Sequence, residues 1–195
     1  MMVGGLIYLF FQKKQFSKSS VTTALYDKQQ GWLLVDTSSA SRAEELLALL
    51  RKAFGSLPAM PLLDNHQLNQ QLHFWLQGKE LPEGFQLGAE AELKAPDEEG
   101  AKVRFINHLL SADEVQSHLQ DKLVTKLALE QDEKVTFLIC EDGSIKRLKF
   151  HDLLSGSNEE MGWDDVIGRL DADLLLMTDA LRHALLPLKA NISSE

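Results

Sequence analysis

A single cysteine, Cys140, in 195 residues leaves too little thiol for a disulfide framework or for a zinc site built on several thiolates. That scarcity fits a reducing, cytoplasmic setting. None of the 12 glycines falls in the close spacing between a strand and a helix that a phosphate-cradling loop requires, so no nucleotide cofactor is indicated. The six histidines are His66, His73, His108, His118, His151 and His183, and no two stand at the i, i+4 spacing that puts two metal ligands on one helix face. Each reads as a surface or partly buried side chain, and no metal is expected. Long apolar runs are missing as well. Val3 to Phe11 is apolar, but a bilayer span needs roughly 20 residues. Lys13 and Lys14 follow that run instead of preceding it, and no small-residue cleavage site comes next, which excludes an ordinary signal peptide. A short buried strand, or sequence foreign to the fold, is expected there. No internal repeat or low-complexity tract is visible.

What is present is ordinary for a globular protein: 44% hydrophobic and 25% charged residues, in a length that suits one large or two small domains. The net charge of -9 argues against a protein that simply coats nucleic acid, yet the charge is uneven. From Asp152 to Glu195 nine acids face three lysines or arginines. From Lys122 to Phe150 six bases face five acids, and those acids cluster at loops. A local basic surface is therefore compatible with an acidic chain.

Strand and helix patterns alternate along the sequence. Val21 to Tyr26 and Trp32 to Asp36 read as strands joined by a turn ending at Gly31. Ser41 and Glu44 have capping-box spacing, and Ala43, Leu46, Leu47, Leu50 and Phe54 follow at helical spacing up to Gly55. Leu68, Leu72 and Leu76 predict a second helix over 65–77, stopped by Gly78. Phe85 to Leu87 and Val103 to Ile106 are candidate strands around the acidic loop Pro96 to Gly100. Ser111 and Glu114 repeat the capping-box spacing before a short helix. Trp163 to about Leu186 reads as helical with an interruption near Asp171.

The stretch from Lys122 to Phe150 is the most informative. Lys122 to Glu130 alternates, Val135 to Cys140 is rich in β-branched and aromatic residues, and Asp142-Gly143 suits a two-residue hairpin turn. A tight turn pairs Cys140 with Ile145, Leu138 with Arg147 and Thr136 with Lys149, and puts Phe137, Leu148, Val135 and Phe150 on the opposite face. Lys122, Lys126, Arg147 and Lys149 then share one exposed sheet face, a surface suited to phosphate. An ordinary solvated face has the same pattern.

Two other features carry competing chemistry. Asp171 and Asp173 could hold a hard cation in a metal-dependent nuclease, although Asp173 as a helix cap and Asp171 as a helix end account for them without a metal. Leu174, Met177, Leu181, Leu185 and Leu188 recur at near-heptad spacing and suit either a dimer seam or packing on the sheet.

Five blocks in order resemble one family: Ala43 to Pro58 (AEELLALLRKAFGSLP), Gly84 to Lys94 (GFQLGAEAELK), Val124 to Leu129 (VTKLAL), Glu141 to Phe150 (EDGSIKRLKF) and Asp171 to Thr178 (DADLLLMT). Together they are similar to RdgC, the recombination-associated proteins of bacteria, over roughly Phe16 to Leu188. The resemblance implies an α+β fold with mainly antiparallel sheets and packed helices, and a protein that is not an enzyme. It further implies a ring-shaped homodimer that encircles double-stranded DNA without sequence preference, with single-stranded DNA a further ligand, and that restrains recombination by RecA. A cytoplasmic, nucleoid-associated protein with no cofactor, metal or membrane partner is expected. Family members are longer at the amino terminus, where this chain has the unrelated run Met1 to Gln15, so a fragment is expected, with RdgC-like residues 16–188 and a tail 189–195. The alternative from another class is a protein interaction module that docks a partner on its acidic carboxy-terminal helices.

Overall fold

The computed structural model describes residues 21–63, 65–79, 81–97, 100–151 and 166–192. The apolar run Val3 to Phe11 and the expected helix start at Trp163 lie outside them. The chain divides into two compact units, one up to Met60 and one from Pro61.

In the first unit, β1 (Thr23–Asp27) and β2 (Trp32–Asp36) form an antiparallel hairpin with Thr23 opposite Asp36 and Asp27 opposite Trp32. The Asp27 carboxylate accepts the Gln29 N–H at 2.9 Å, and Gly31 takes the left-handed backbone that ends the turn, φ +68°. Helix α1 (Ala40–Phe54) starts one cap earlier than the sequence suggested. Ser39 has extended backbone and accepts the Arg42 N–H at 3.5 Å, whereas Ser41 is already inside the helix and cannot cap it. Leu46 and Leu50 are buried, but Phe54 is 65% exposed, so the apolar stripe ends a turn before the helix does.

The second unit holds a five-stranded antiparallel sheet in the order β4-β3-β5-β6-β7. Its strands are β3 (Phe85–Lys94), β4 (Lys102–Ile106), β5 (Leu123–Gln131), β6 (Val135–Cys140) and β7 (Ile145–Phe150). With helices α2 (Asn65–Leu76), α3 (Asp113–Ser117) and α4 (Val166–Ile192) this is the expected α+β architecture. One sheet face is the core: Ala91, Leu93, Val124, Leu127, Leu129, Phe137 and Ile139 are buried on it. Helix α2 packs on β5 with Leu68, Leu72, Trp75 and Leu76 fully buried, and α4 reaches both α2 and β6 through its carboxy-terminal half, where Ala184, Leu185, Leu188 and Ile192 are buried. Each large aliphatic side chain removed from water in this way contributes about 1.5–3 kcal/mol. The Asn191 carbonyl oxygen accepts from Gln71 Nε2 at 2.8 Å and Trp75 Nε1 at 3.2 Å, which fixes α4 against α2.

Several sequence expectations are corrected. Helix α4 runs without a break through Asp171 and past 188 to Ile192, so neither Asp171 nor Asp173 caps anything. Its leucine stripe divides: Leu185 and Leu188 pack inside this unit, while Leu174, Met177 and Leu181 are only partly covered. Helix α3 follows Ala112 with no side-chain cap, so Ser111 does not play that part. Strand β3 extends to Lys94 instead of ending at Leu87, because an irregular stretch between Leu87 and Ala91 absorbs extra residues and lets the strand resume. Gly88 sits at this bulge, where an added Cβ would stand 2.8 Å from Ala128 Cβ.

The β6–β7 hairpin also differs. Its connection spans Glu141 to Ser144, of which Gly143 alone is left-handed (φ +74°), and Asp142 accepts both the N–H (2.9 Å) and the hydroxyl (2.5 Å) of Ser144. Thr136 faces Lys149 and Val135 faces Phe150 as expected, but Leu138 faces Lys146 and Ile139 faces Ile145. The one-residue shift is a bulge at Arg147, whose φ of +53° marks it as the extra residue. Arg147 therefore does not oppose Leu138.

Candidate functional site

Side chains alternate across the sheet, so the residues between the core positions define its second face. In β3 these are Glu90 and Glu92. Arg104 of β4 pairs with Glu92, Lys126 of β5 pairs with Glu92 and with Cys140, and Ala128 pairs with Leu138. Lys149 lies at the far side, opposite Thr136.

Two carboxylates organise this face. Glu90 accepts Arg104 through Nη2 at 2.6 Å and Nε at 3.1 Å, and also accepts Nη1 of Arg147. Strands β5 and β6 lie between β3 and β7, so the Glu90–Arg147 bridge crosses over them. Both ends lie in an irregular strand: Glu90 stands in the β3 bulge and Arg147 in the β7 bulge. Leu138, beneath the span, is 4% exposed although it belongs to the outer face. Glu92 accepts Lys126 Nζ at 2.8 Å and the Thr125 hydroxyl at 3.3 Å, with Lys102 Nζ at 3.8 Å. Burial pushes its carboxyl up, but the hydrogen bond and charge of Lys126, the charge of Lys102 and the Thr125 hydroxyl outweigh that and hold it below the usual carboxylate range. Glu92 is therefore ionised at neutral pH.

The four cations named from sequence do not form one uniform patch. Lys126 is held by Glu92 and Arg147 by Glu90. Lys149 is exposed and makes no ion pair among the described residues. Beside it Thr136 Oγ1 lies 3.2 Å from His151 Nε2. Lys122 stands apart. A register shift in β5 puts Val124 opposite Leu93 on the core face, which breaks the alternation that aligned Lys122 with Lys126. Lys122 precedes the strand, its ammonium lies 2.6 Å from Asp121, and its side chain is only 11% exposed. The hydrogen bond from Lys122 and its charge hold the Asp121 carboxyl below its ordinary value.

Sequence reasoning missed Arg104, Lys102, Glu90 and Glu92. The signal was there: Glu90, Glu92 and Lys94 alternate with Ala91 and Leu93, a half-buried strand pattern hidden by ending the strand at Leu87. Among the described residues no group of three or more His, Cys, Asp or Glu side chains could hold a metal ion. Asp171 and Asp173 are two residues apart on one helix and so point about 200° away from each other around its axis. Among the described residues no helix is long and apolar enough to cross a membrane.

Comparison with known proteins adds a family. Residues 12–195 match a family model described as "Putative exonuclease, RdgC". The recombination-associated protein RdgC of Pseudoalteromonas translucida is 45% identical over 171 residues, 87% of this chain and 56% of that protein. Those of Proteus mirabilis and Salmonella paratyphi B are 44% identical over 169 residues and 42% identical over 183 residues, covering 86% and 93% of this chain. The chain spans 56% to 60% of the length of these three relatives.

Proposed function

The chain belongs to the RdgC family, and on that premise we propose that it binds DNA through backbone phosphates, without sequence preference, and acts in recombination. The observation that carries this reading is the match over residues 12–195 together with relatives named as recombination-associated. The charged outer face of the sheet supports it, because it presents Lys126, Arg147 and Lys149 with Arg104 and Lys102 beside them on a rigid scaffold. Restraint of RecA by a ring-forming homodimer, and a place on the nucleoid, extend the same proposal to the whole-length protein.

The test is affinity for two duplexes of unrelated sequence, followed by fluorescence anisotropy across a salt series. Both should bind alike, and affinity should fall steeply with salt as counterions are released. Removing Arg147 and Lys149 together by alanine substitution should weaken both complexes equally and flatten the log-log salt slope by about 1.8. A salt-insensitive or strongly sequence-selective affinity would overturn this reading in favour of a protein interaction module.

The description of the family as an exonuclease favours a second reading. It requires DNA cutting that depends on magnesium or manganese and disappears in Asp171→Asn with Asp173→Asn. The divergent directions of those two side chains argue against a shared metal, and no cutting is expected.

A further inference from the structure

We infer that Glu90 and Glu92 are internal stand-ins for phosphate: they occupy the cations of the outer sheet face, and a polyanion binds there by displacing them. The inference rests on the DNA-binding reading for its biological ligand, but its chemistry concerns any phosphate or sulfate polyanion.

Each carboxylate is held as a phosphate would be. Glu90 receives two guanidinium groups from opposite edges of the sheet, Arg104 donating Nη2 and Nε to Oε1 at 2.6 and 3.1 Å and Arg147, from the bulge in β7, donating Nη1 to Oε2. Each guanidinium thus addresses one carboxylate oxygen, and phosphate offers oxygens that accept the same N–H donors, so one anion can replace the other without moving the cations far. Glu92 receives the ammonium of Lys126 at 2.8 Å and stands 3.8 Å from that of Lys102. Four cations thus converge on two acids. Both glutamate side chains are nearly covered, at 12% and 11% exposure, while their cations remain open to solvent at 59% for Lys102, 41% for Arg104, 31% for Lys126 and 54% for Arg147. The acids lie under the cations, and an incoming anion meets the cations first. The face can therefore attract a polyanion while its own carboxylates compete for the same donors, which lowers affinity and the number of counterions released.

The test uses Glu90→Gln, Glu92→Gln and the double variant, with Asp121→Asn as a control that frees Lys122 away from this face. Binding to duplex DNA and the salt needed to elute from immobilised heparin are both measured. Circular dichroism establishes that each variant is folded, and Glu90→Gln carries the test if Glu92→Gln is not, since the arginines that Glu90 pairs with are 41% and 54% exposed. Each glutamine should raise polyanion affinity several-fold at low salt and steepen the log-log slope by up to about 0.9 per phosphate newly engaged. Asp121→Asn should change little. A gain on heparin without sequence-independent DNA binding would keep the inference and sink the DNA reading. Unchanged or weaker binding to both polyanions by the folded variants would overturn the inference and make the glutamates supports for the cations. An equal gain in Asp121→Asn would also overturn it, because net charge alone would then be the cause.

Discussion

The two faces of the five-stranded sheet solve the same packing problem by opposite means. On the inner face α2 packs on the strand of Leu127 and Leu129 and α4 on that of Ile139, and these three with Leu93 are completely removed from water. On the outer face Ala128 and Leu138 have charged residues around them, and a bridge from Glu90 to Arg147 crosses above. The inner face stays apolar even across the register shift that brings Val124 onto it, and its stability comes from buried area. The outer face carries two bulges, and the bridge from Glu90 to Arg147 runs from one to the other. The same strands thus make a core on one side and, where they bulge, a charged surface that can do chemistry with an anion on the other.

Truncating the inner face should have the largest effect. Leu129→Ala leaves a cavity at a fully buried position and should cost about 2–5 kcal/mol in urea unfolding, and any loss of DNA binding should track the unfolded fraction. A cost under about 1 kcal/mol would mean that the core can collapse around the gap, and the contrast between the faces would weaken. Gly88→Ala acts at the bulge. Its new Cβ would meet Ala128 Cβ at 2.8 Å and the Ala128 carbonyl carbon at 3.2 Å, both parts of a strand with little freedom to move. About 1–3 kcal/mol of destabilisation is expected, and polyanion binding should change even where the protein remains folded, because Glu90 moves with the bulge.

The smallest expected effect is electrostatic. The Glu92 carboxyl titrates lower in the folded protein than in the unfolded chain, so its ionised form favours folding. That contribution is complete above the ordinary carboxylate value of 4.5 and is lost as pH falls through the lower, folded value. Melting temperatures taken from about pH 6 down to about pH 3 should therefore fall less steeply in Glu92→Gln than in the unmutated protein. Parallel curves would show that the Lys126 and Lys102 pairs do not favour the charged form.

Much of the fold was legible because the determining signals are local. The β-branched run Val135 to Cys140 and the leucines of α2 appear where the periodicity put them. The errors share a physical origin. Ser39 outcompetes Ser41 as cap because the cap is chosen by backbone geometry at the junction with β2, which a three-residue spacing rule does not see. Arg147 missed its expected partner, and Val124 changed face, because a bulge shifts side chains by one position and leaves no composition signal. Four cations could be read as a patch, but the carboxylates that hold two of them lie far away in sequence: Glu92 and Lys126 are 34 residues apart and Glu90 and Arg147 are 57. Asp171 failed as a helix stop because packing of the carboxy-terminal half of α4 overrides a weak local preference.

The strand order has a kinetic consequence. Strands β3 and β4 neighbour each other in sequence, as do β5, β6 and β7, so a hairpin and a three-stranded meander can each close early through short loops. The β3–β5 pairing joins them across the intervening β4 and α3, and both of its irregularities, at Glu90 and at Thr125, lie on that junction. Docking of two preformed pieces is then the late event. Substitutions along the junction should act mainly by hastening unfolding, whereas those within the meander should slow folding. The acids that hold the cations thus sit on the line along which the sheet would first come apart.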